Sequence, residues 1–273
     1  MKRFAAVLLT LGLIAGCSSN TGKQEVPSTI VVGLECNYAP FNWTQASSNE
    51  TSVEINGGGG HCDGYDVVIA SRIAEAIGKT LVVKKTAWEA LESGVALNSG
   101  DIDMIVAGMT DTEQRRTNLD FSEYYYSSDM VLIVRKDSSL ANATSLADFS
   151  GAKVVAQKGT LHDELVDQIP NVVHATPLAN FPVLYEAVKS KDADAAVSER
   201  PVALAAMSAN PDLVIVSFAE GSGFDVNAED VTVSVAVKKG NADLVAAINE
   251  ALRKITQEER DQIMADAIAR QPE

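Results

Sequence analysis

The sequence predicts an α/β fold with mostly parallel strands. From Thr29 onward, short runs of β-branched residues alternate with stretches whose apolar residues recur at helical spacing. This alternation is typical of strands joined by crossover helices. Beyond residue 28 the chain has about 245 residues, enough for one large domain or two ordinary ones. This part contains no apolar run long enough to span a bilayer.

The N-terminal residues predict export. Residues Met1 to Arg3 are positively charged, Phe4 to Leu13 are apolar but too few to cross a bilayer, and Ile14 to Cys17 match a lipoprotein cleavage box. Residues 1–17 are therefore predicted to be a lipoprotein signal peptide with a lipidated Cys17, and residues 18–28 a flexible tether. An ordinary secretory signal is the alternative. We expect an extracytoplasmic protein anchored to the cell membrane by lipid.

The chain is acidic, with 37 Asp and Glu against 22 Lys and Arg and a formal net charge of −15. This balance argues against nucleic acid as a partner, because binding to a phosphate backbone needs basic residues. It favours the approach of a cationic ligand, although acidity also serves solubility. The charge is therefore a weak indication of function.

The first elements follow from periodicity and from the residues that begin and end helices. A strand is predicted over Ile30–Gly33. A helix is predicted after Gly64-Tyr65-Asp66, with Gly78 as its stop signal. Another strand is predicted over Leu81–Val83. The residues Thr86 to Glu89 read as a capping box that opens a helix through Ala96.

The next stretch predicts an anion site. A buried strand over Ile102–Val106 is followed by small and hydroxyl residues, and Thr112 is a suitable helix N-cap. Backbone N–H groups at such a helix start favour an anion. One turn later, Arg115 offers a planar two-pronged donor that matches a carboxylate. Taken alone, an Arg at this place is more often a solvated surface residue.

The middle of the chain repeats this arrangement. Strands are predicted over Met130–Val134 and Ala152–Ala156, with a short helix over residues 145–149 between them. Gly159 and Thr160 then precede a helix over Leu161–Ile169, which again presents backbone donors to an anion. Two such sites facing each other would form a clamp.

The remaining elements complete the pattern. Asn180 is predicted to cap a helix that runs to Lys189, and a strand ends at Glu199. A further strand is predicted over Val231–Val237. Two helices follow it, one over Ala242–Ile255 and one that a capping box at Thr256 opens and that runs to about Ala269.

Two cysteines remain if Cys17 is lipidated, and we expect Cys36 and Cys62 to pair, because two thiols in an oxidising compartment usually do. The bridge would close a loop of about 25 residues and contribute on the order of 3 kcal/mol. The loop is rich in Ser, Asn, Thr and Gly and cannot build its own core. Two free thiols or a metal site that includes His61 are the alternatives.

Several motifs resemble one family. The segment from Gly100-Asp101-Ile102-Asp103 to Arg115, the loop Tyr38-Ala39-Pro40-Phe41, and the helix start Gly64-Tyr65-Asp66-Val67-Val68-Ile69-Ala70 follow each other as in the family 3 extracytoplasmic solute-binding proteins. These are amino-acid-binding lipoproteins of ATP-binding-cassette importers. The resemblance covers almost all of the mature chain.

This resemblance implies a two-lobed fold similar to periplasmic binding proteins (type II, Venus flytrap), with a mostly parallel sheet flanked by helices in each lobe. Lobe 1 would be discontinuous and comprise residues 29–126 and 231–273, and lobe 2 would comprise residues 127–230. It further implies a monomer that offers a free amino acid to an integral-membrane permease. No cofactor and no metal are expected.

The resemblance also assigns roles to side chains. The equivalent of Arg115 clamps the α-carboxylate of the ligand, and an acidic residue at the place of Glu199, most often Asp, accepts hydrogen bonds from the α-ammonium. Tyr38 and Trp88 would lie over the ligand, and Glu35 would lie near its side-chain end. The expected ligand-binding residues are Glu35, Tyr38, Trp88, Ala107, Gly108, Thr110, Arg115, Gly159, Thr160, Leu161 and Glu199. Taken alone, Trp88 would more often be core, and Glu35 and Glu199 would more often face solvent.

We therefore expect a transport protein that binds a polar, cationic amino acid such as arginine or lysine. Glutamine, cystine or another polar amino acid is the alternative. A less favoured alternative is a dehydratase-type enzyme on the same fold, which would need a paired acid and base in the cleft. Of the histidines, only His162 is placed to face that cleft. We expect no enzymatic activity.

Overall fold

A computed structural model describes residues 28–219, 221–227 and 231–272. The predicted signal peptide with its Cys17, and the tether up to residue 27, lie outside the described residues. None of the helices that the structure describes combines the length and the apolar character needed to cross a membrane.

Strands and helices alternate along the described residues, as the sequence predicts. In chain order, the strands are β1 (Thr29–Leu34), β2 (Asn37–Tyr38), β3 (Asn42–Gln45), β4 (Val53–Glu54), β5 (His61–Asp63), β6 (Thr80–Lys85), β7 (Met104–Ile105), β8 (Leu119–Ser127), β9 (Met130–Arg135), β10 (Lys153–Val155), β11 (Val173–His174), β12 (Ala195–Glu199), β13 (Leu213–Val216) and β14 (Thr232–Lys238). The α-helices are α1 (Tyr65–Ala76), α2 (Trp88–Glu92), α3 (Val95–Asn98), α4 (Glu113–Arg116), α5 (Leu161–Val166), α6 (Phe181–Lys189), α7 (Arg200–Ala209), α8 (Ala242–Leu252) and α9 (Gln257–Arg270). Two 3₁₀ helices span Ser139–Asn142 and Leu146–Phe149.

The strands form two lobes, each built on its own large sheet. The first lobe contains a sheet in the order β6-β1-β7-β14-β8, and the second lobe a sheet in the order β11-β10-β12-β9-β13. In the first sheet, β1 pairs in parallel with β6 and β7, whereas β14 is antiparallel to β7 and β8. In the second, β10 is parallel to β11 and β12, whereas β9 is antiparallel to β12 and β13.

Each sheet is therefore mixed rather than mostly parallel. The reason lies in how the chain passes between the lobes. Strand β8 leaves the first lobe and leads almost directly into β9 of the second, and β14 returns beside β8 in the opposite direction. The returning strand is antiparallel to its neighbours, and alternation of strands and helices does not reveal this.

The predicted starts of α4, α6 and α9 are confirmed, and each of these helices has a side-chain cap. Thr112 accepts a hydrogen bond from the Arg115 N–H, Asn180 caps α6, and a capping box at Thr256 opens α9. Such caps depend on residues within one turn, so they can be predicted from the sequence. Helix α5 ends at Val166, earlier than the predicted Ile169.

The prediction of one helix from Thr86 through Ala96 is wrong. The Thr86 hydroxyl donates to the Lys84 carbonyl instead of capping, and the helix begins at Trp88. The helix is then interrupted at Gly94, whose φ of 71° is left-handed, and α3 follows it. A glycine adopts this conformation readily, which favours the break.

The insertion between Cys36 and Cys62 is partly ordered as a small sheet in the order β2-β3-β5-β4. The two cysteines form a disulfide, with Cα atoms 5.6 Å apart. Ile55 is buried and bridges to Val83 of the large sheet. The insertion thus adds to the core of the first lobe, although the sequence suggested only a loop stapled by the disulfide.

Strand ends position the cleft between the lobes. Glu35 directly follows β1, and residues 107–110 follow β7 in the first lobe. Residues 157–161 follow β10, and Glu199 ends β12 in the second lobe. In α/β sheets, ligands bind beside the carboxyl ends of parallel strands, and here these ends of the two sheets approach each other.

Candidate functional site

Arg115 links the lobes through its guanidinium group. It lies at the end of the single turn between the Thr112 cap and Arg116, and this turn directs its side chain to the cleft. Its Nη1 donates to the Thr110 carbonyl at 2.7 Å, and its Nη2 donates to the Gly159 carbonyl at 3.1 Å. The side chain is thus not a solvated surface residue. It places a positive charge between the two predicted anion-binding turns.

Trp88 lies beside this guanidinium. The Arg115 Cζ atom is 5.2 Å from the centre of the indole ring, within the range of a cation–π contact. The indole Nε1 donates to the Gly159 carbonyl at 3.3 Å. Trp88 is buried, and its side chain contacts Arg115 of the first lobe and Gly159 of the second.

Glu199 meets Tyr38 from the other lobe. The Tyr38 hydroxyl donates to Glu199 Oε1, and the Ser128 hydroxyl donates to Oε2 at 3.1 Å. Burial raises the pKa of Glu199 to about 7, although both hydrogen bonds oppose this shift. Burial and the nearby Glu199 charge raise the pKa of the Tyr38 hydroxyl as well. A cation placed here would stabilise the ionised carboxylate.

Glu35 is buried with few partners. Within the residues that the structure describes, its two carboxylate oxygens accept only long hydrogen bonds, each 3.4 Å from Gln157 Nε2 of the second lobe. Burial raises the pKa of Glu35 to about 7, and the Gln157 hydrogen bond only partly offsets it. Glu35 is thus not a solvent-facing side chain, and its carboxylate retains unused acceptor capacity.

These side chains surround a small cavity between the lobes, of about 20 Å³. The residues lining it are Glu35, Tyr38, Trp88, Ala107, Gly108, Thr110, Arg115, Gln157, Thr160, Leu161 and His162. Nine of the expected ligand-binding residues are among them. Such a volume has room for about one water molecule, so an amino acid would enter only after the lobes separate or side chains move.

The other two expected residues lie next to the cavity. Gly159 accepts the hydrogen bonds from Arg115 and Trp88 at its edge, and Glu199 lies behind Tyr38. A side chain at Gly159 would have its Cβ 2.3 Å from the Glu92 carboxylate, and its φ of 70° is left-handed. The left-handed backbone conformation favours glycine here, whereas the Glu92 carboxylate is the end of a flexible side chain that can move.

Gln157 and His162 line the cavity but were not among the expected ligand-binding residues. A signal existed for both, since Gln157 directly follows the strand predicted over Ala152–Ala156 and His162 lies in the first turn of the next helix. Both His162 ring nitrogens are buried without a hydrogen-bond partner among the described residues. Burial and the Arg115 charge lower the pKa of His162 to about 4, so the ring is neutral at neutral pH.

A larger cavity of about 320 Å³ lies on the outer side of the contact between Arg115 and Gly159. Polar side chains line most of it, with Glu92 and Glu164 facing Arg115. It shares Arg115, Thr160 and Leu161 with the small cavity. The buried charged and aromatic groups converge on the small cavity, so the latter is the better candidate for the binding site.

Among the described residues, no group of His, Cys, Asp and Glu side chains is arranged to hold a metal ion. The two cysteines that a metal site with His61 would need are joined in the disulfide. The geometry of the cleft suits a zwitterion, because it offers a cation and carboxylates within one enclosed region.

The sequence is similar to bacterial transport proteins. It is 28% identical to the arginine-binding extracellular protein ArtP of Bacillus subtilis (strain 168) over 255 residues, covering 92% of this chain and 89% of that protein. It is 30% identical to the ABC transporter glutamine-binding protein GlnH of the same organism over 283 residues, covering 98% of this chain and 95% of that protein.

The structure is similar to that of the amino acid ABC transporter substrate-binding protein AbpA from Streptococcus pneumoniae Canada MDR_19A, bound to L-arginine. The TM-score is 0.72 at 27% sequence identity, and the match covers 89% of this chain and 95% of that one. The model of the bacterial extracellular solute-binding proteins, family 3, matches residues 30–268. With the two lobes, the cleft and these matches in agreement, the chain belongs to the family 3 bacterial extracellular solute-binding proteins.

Proposed function

We propose that this protein captures a free cationic amino acid, such as arginine or lysine, between its lobes and delivers it to the membrane permease of an ATP-binding-cassette importer. Membership of the solute-binding family supports capture and delivery. Relatives are named as binders of arginine and of glutamine, so relationship alone does not select the ligand.

The charges in the cleft favour a cationic amino acid as the ligand. A cationic amino acid has two positive groups and one negative group. The cleft offers the opposite charges, with two carboxylates from Glu35 and Glu199 and one guanidinium cation from Arg115. Because buried charges need partners, a neutral amino acid would leave one carboxyl group without a cation.

Each charge has a role in this proposal. Arg115 binds the α-carboxylate in place of its present bond to the Gly159 carbonyl, assisted by N–H groups near Thr110 and Thr160. Glu199 accepts hydrogen bonds from the α-ammonium. Glu35 accepts hydrogen bonds from the cationic end of the ligand side chain, which would satisfy a carboxylate whose one donor among the described residues is Gln157.

Tyr38, Trp88, Ala107, Gly108 and Leu161 shape the site in this proposal. The Tyr38 and Trp88 rings offer aromatic faces to a guanidinium or ammonium group, each contact contributing about 0.5–2 kcal/mol as it desolvates. Ala107, Gly108 and Leu161 line the cavity without adding charge. Small residues allow the ligand to approach the backbone closely.

Lobe separation admits the ligand. The hydrogen bonds of Tyr38 to Glu199 and of Gln157 to Glu35 join the lobes across the cleft and would break on opening. We assign residues 29–126 and 231–273 to the first lobe and residues 127–230 to the second, with hinges at the two crossings. Closure around a ligand then removes water from its charged groups, which strengthens their pairing.

The same proposal places the protein outside the cytoplasm as a monomer. A lipid on Cys17, which lies outside the described residues, would hold it at the membrane beside the permease. Family membership supports the extracellular location.

A neutral polar amino acid such as glutamine is the second candidate. The Gln157 amide and the neutral His162 ring line the cavity and could pair with a side-chain amide. The raised pKa of Glu35, about 7, means that part of this carboxyl group is protonated at neutral pH. A protonated carboxyl group needs no cation.

A calorimetric screen of the purified protein against the common amino acids tests the proposal. We expect arginine or lysine to bind at least tenfold more tightly than glutamine. Tighter binding of glutamine would favour the second candidate. Failure of every free amino acid to bind would refute both.

A further inference from the structure

The motif Gly64-Tyr65-Asp66 contains a buried carboxylate that lines neither cavity described above. Asp66 lies in the first turn of α1 and is 0% exposed. It accepts a hydrogen bond from Asn42 Nδ2 at 2.8 Å and another from the Tyr125 hydroxyl at 2.7 Å. Burying a carboxylate costs free energy unless it is hydrogen-bonded, so these two donors offset part of that cost.

The Tyr125 hydroxyl connects this carboxylate to the binding loop. It donates to Asp66, and it accepts a hydrogen bond from the Gly108 N–H at 3.0 Å. On its other side, Gly108 packs closely against the Tyr38 ring, since a Cβ at this position would lie 2.7 Å from that ring. The backbone of the loop is thus held between a cleft side chain and the Tyr125 hydroxyl.

Asp66 also fixes the loop that carries Tyr38. Its backbone N–H donates to the Phe41 carbonyl at 2.8 Å, and the Tyr65 N–H donates to the Pro40 carbonyl at 3.0 Å. Asn42, which binds the Asp66 carboxylate, ends the same loop. One residue therefore joins the two loops from which the first lobe presents Tyr38 and Gly108 to the cleft.

We propose that Asp66 and Tyr125 are positioning residues that hold the Gly108 and Tyr38 loops in the arrangement that binds the ligand. This inference rests on the proposed function. Neither side chain lines the cavity, so both act through the loops. A held loop offers its N–H groups and Arg115 to the ligand without first being ordered, which favours affinity.

Tyr125→Phe is the main variant, and Tyr65→Phe is its matched control. Both residues are fully buried, and each substitution removes one phenol hydroxyl. The Tyr65 hydroxyl donates to the Tyr125 backbone carbonyl at 2.8 Å and is not bonded to the binding loop. Tyr125→Phe loses two buried hydrogen bonds, one to the Asp66 carboxylate and one from the Gly108 N–H, whereas Tyr65→Phe loses one. Only Tyr125→Phe removes the hydroxyl that binds Gly108.

Two measurements on the full chain in detergent separate positioning from stability. Affinity for arginine is measured by calorimetry, and amide hydrogen exchange at residues 107–110 is measured without ligand. We expect Tyr125→Phe to weaken arginine binding at least tenfold and to speed exchange of the Gly108 amide. Tyr65→Phe should change affinity less than twofold. Equal losses of affinity, or unchanged exchange at Gly108 in Tyr125→Phe, would overturn the proposal.

Substitution of Asp66 gives an independent test. Asn42 Oδ1 is buried without a partner in the part of the chain that the structure describes, so a flipped Asn42 amide could pair with an introduced Asn. Asp66→Asn should therefore weaken binding several-fold less than Asp66→Leu, and equal effects would contradict the inference. Because exchange is measured without ligand, it tests the positioning role even if wild-type protein binds no amino acid, which would refute the proposed function separately.

Discussion

The guanidinium of Arg115 lies 3.1 Å from the carbonyl oxygen of Gly159, so a cation of the first lobe binds the backbone of the second. A carboxylate accepts a stronger hydrogen bond from a guanidinium than a carbonyl does. A ligand carboxylate would therefore replace Gly159 without leaving the cation unpaired. The contact marks the place where we expect the α-carboxylate to bind.

Arg115→Ala should abolish useful binding of α-amino acids. A buried carboxylate left without its partner costs roughly 3–5 kcal/mol, a loss of at least about a hundredfold in affinity. Calorimetry with the tightest ligand measures it. Arg116→Ala is the matched control, because Arg116 is exposed and pairs with Asp111 of its own lobe. Similar losses in the two variants would contradict the assignment of Arg115.

Glu35→Gln should act selectively on cationic ligands. The substitution keeps the shape of the side chain but removes a charge, and a lost charge-assisted hydrogen bond costs about 1–3 kcal/mol. A competition series with arginine, lysine, glutamine, glutamate and cystine measures this selectivity. Neutral ligands should bind almost as before. Tight binding of glutamate or cystine with no response to the substitution would show that Glu35 does not contact the ligand side chain.

Affinity for a cationic ligand should rise with pH. Burial raises the pKa of Glu35 and of Glu199 from 4.5 to about 7, so the folded protein retains protons that the unfolded chain releases. Between these values, the free energy of unfolding without ligand falls as pH rises. The ligand pairs with the ionised carboxylates, so its stabilising effect grows over the same window.

Denaturant unfolding and calorimetry from about pH 5 to about pH 8 measure the two trends. Asp66, whose pKa burial also raises to about 7, adds to the fall in stability. Comparison with Glu35→Gln isolates the part due to Glu35 and should show a flatter dependence. An affinity for arginine that is constant across this range would contradict the prediction.

His162→Leu should separate stability from binding. Both His162 ring nitrogens lie buried without a partner among the described residues, so their loss should not reduce the free energy of unfolding. If a bound ligand forms a hydrogen bond with the His162 ring, the free energy of binding to the His162→Leu variant should be weaker by about 1 kcal/mol or more. Urea unfolding and calorimetry measure the two quantities. A variant that is much less stable but binds normally would indicate that His162 serves packing against Phe181.

The disulfide between Cys36 and Cys62 should be present in the exported protein. Mass spectrometry of unreduced peptides detects it, and two alkylatable thiols in the native protein would refute it. Replacing both cysteines by Ala should lower the free energy of unfolding by about 3 kcal/mol. Hydrogen exchange should increase most in the insertion between them, since the large sheets have their own packing.

Prediction from the sequence succeeded where hydrogen bonds between residues close in the chain decide the structure. The caps at Thr112, Asn180 and Thr256 each involve residues one turn apart. The order of strands and helices follows from periodicity in the same way. The capping box predicted at Thr86 was wrong because the helix begins only at Trp88 with Ala87 at its N-cap, so the Thr86 hydroxyl donates to the Lys84 carbonyl and accepts no N–H of the helix.

The sequence by itself determined the two strand–turn–helix units, the residues that follow their strands, and therefore most of the side chains that line the cleft. Only the tertiary structure decided which of them meet. Glu35 and Gln157 are 122 residues apart, and Tyr38 and Glu199 are 161 apart. These contacts depend on how two separate sheets approach each other. Periodicity and capping act over a few residues and carry no information about that approach. The long hydrogen bonds between Gln157 and Glu35, and the lack of a described partner for the His162 ring, therefore emerge only when both lobes are in place.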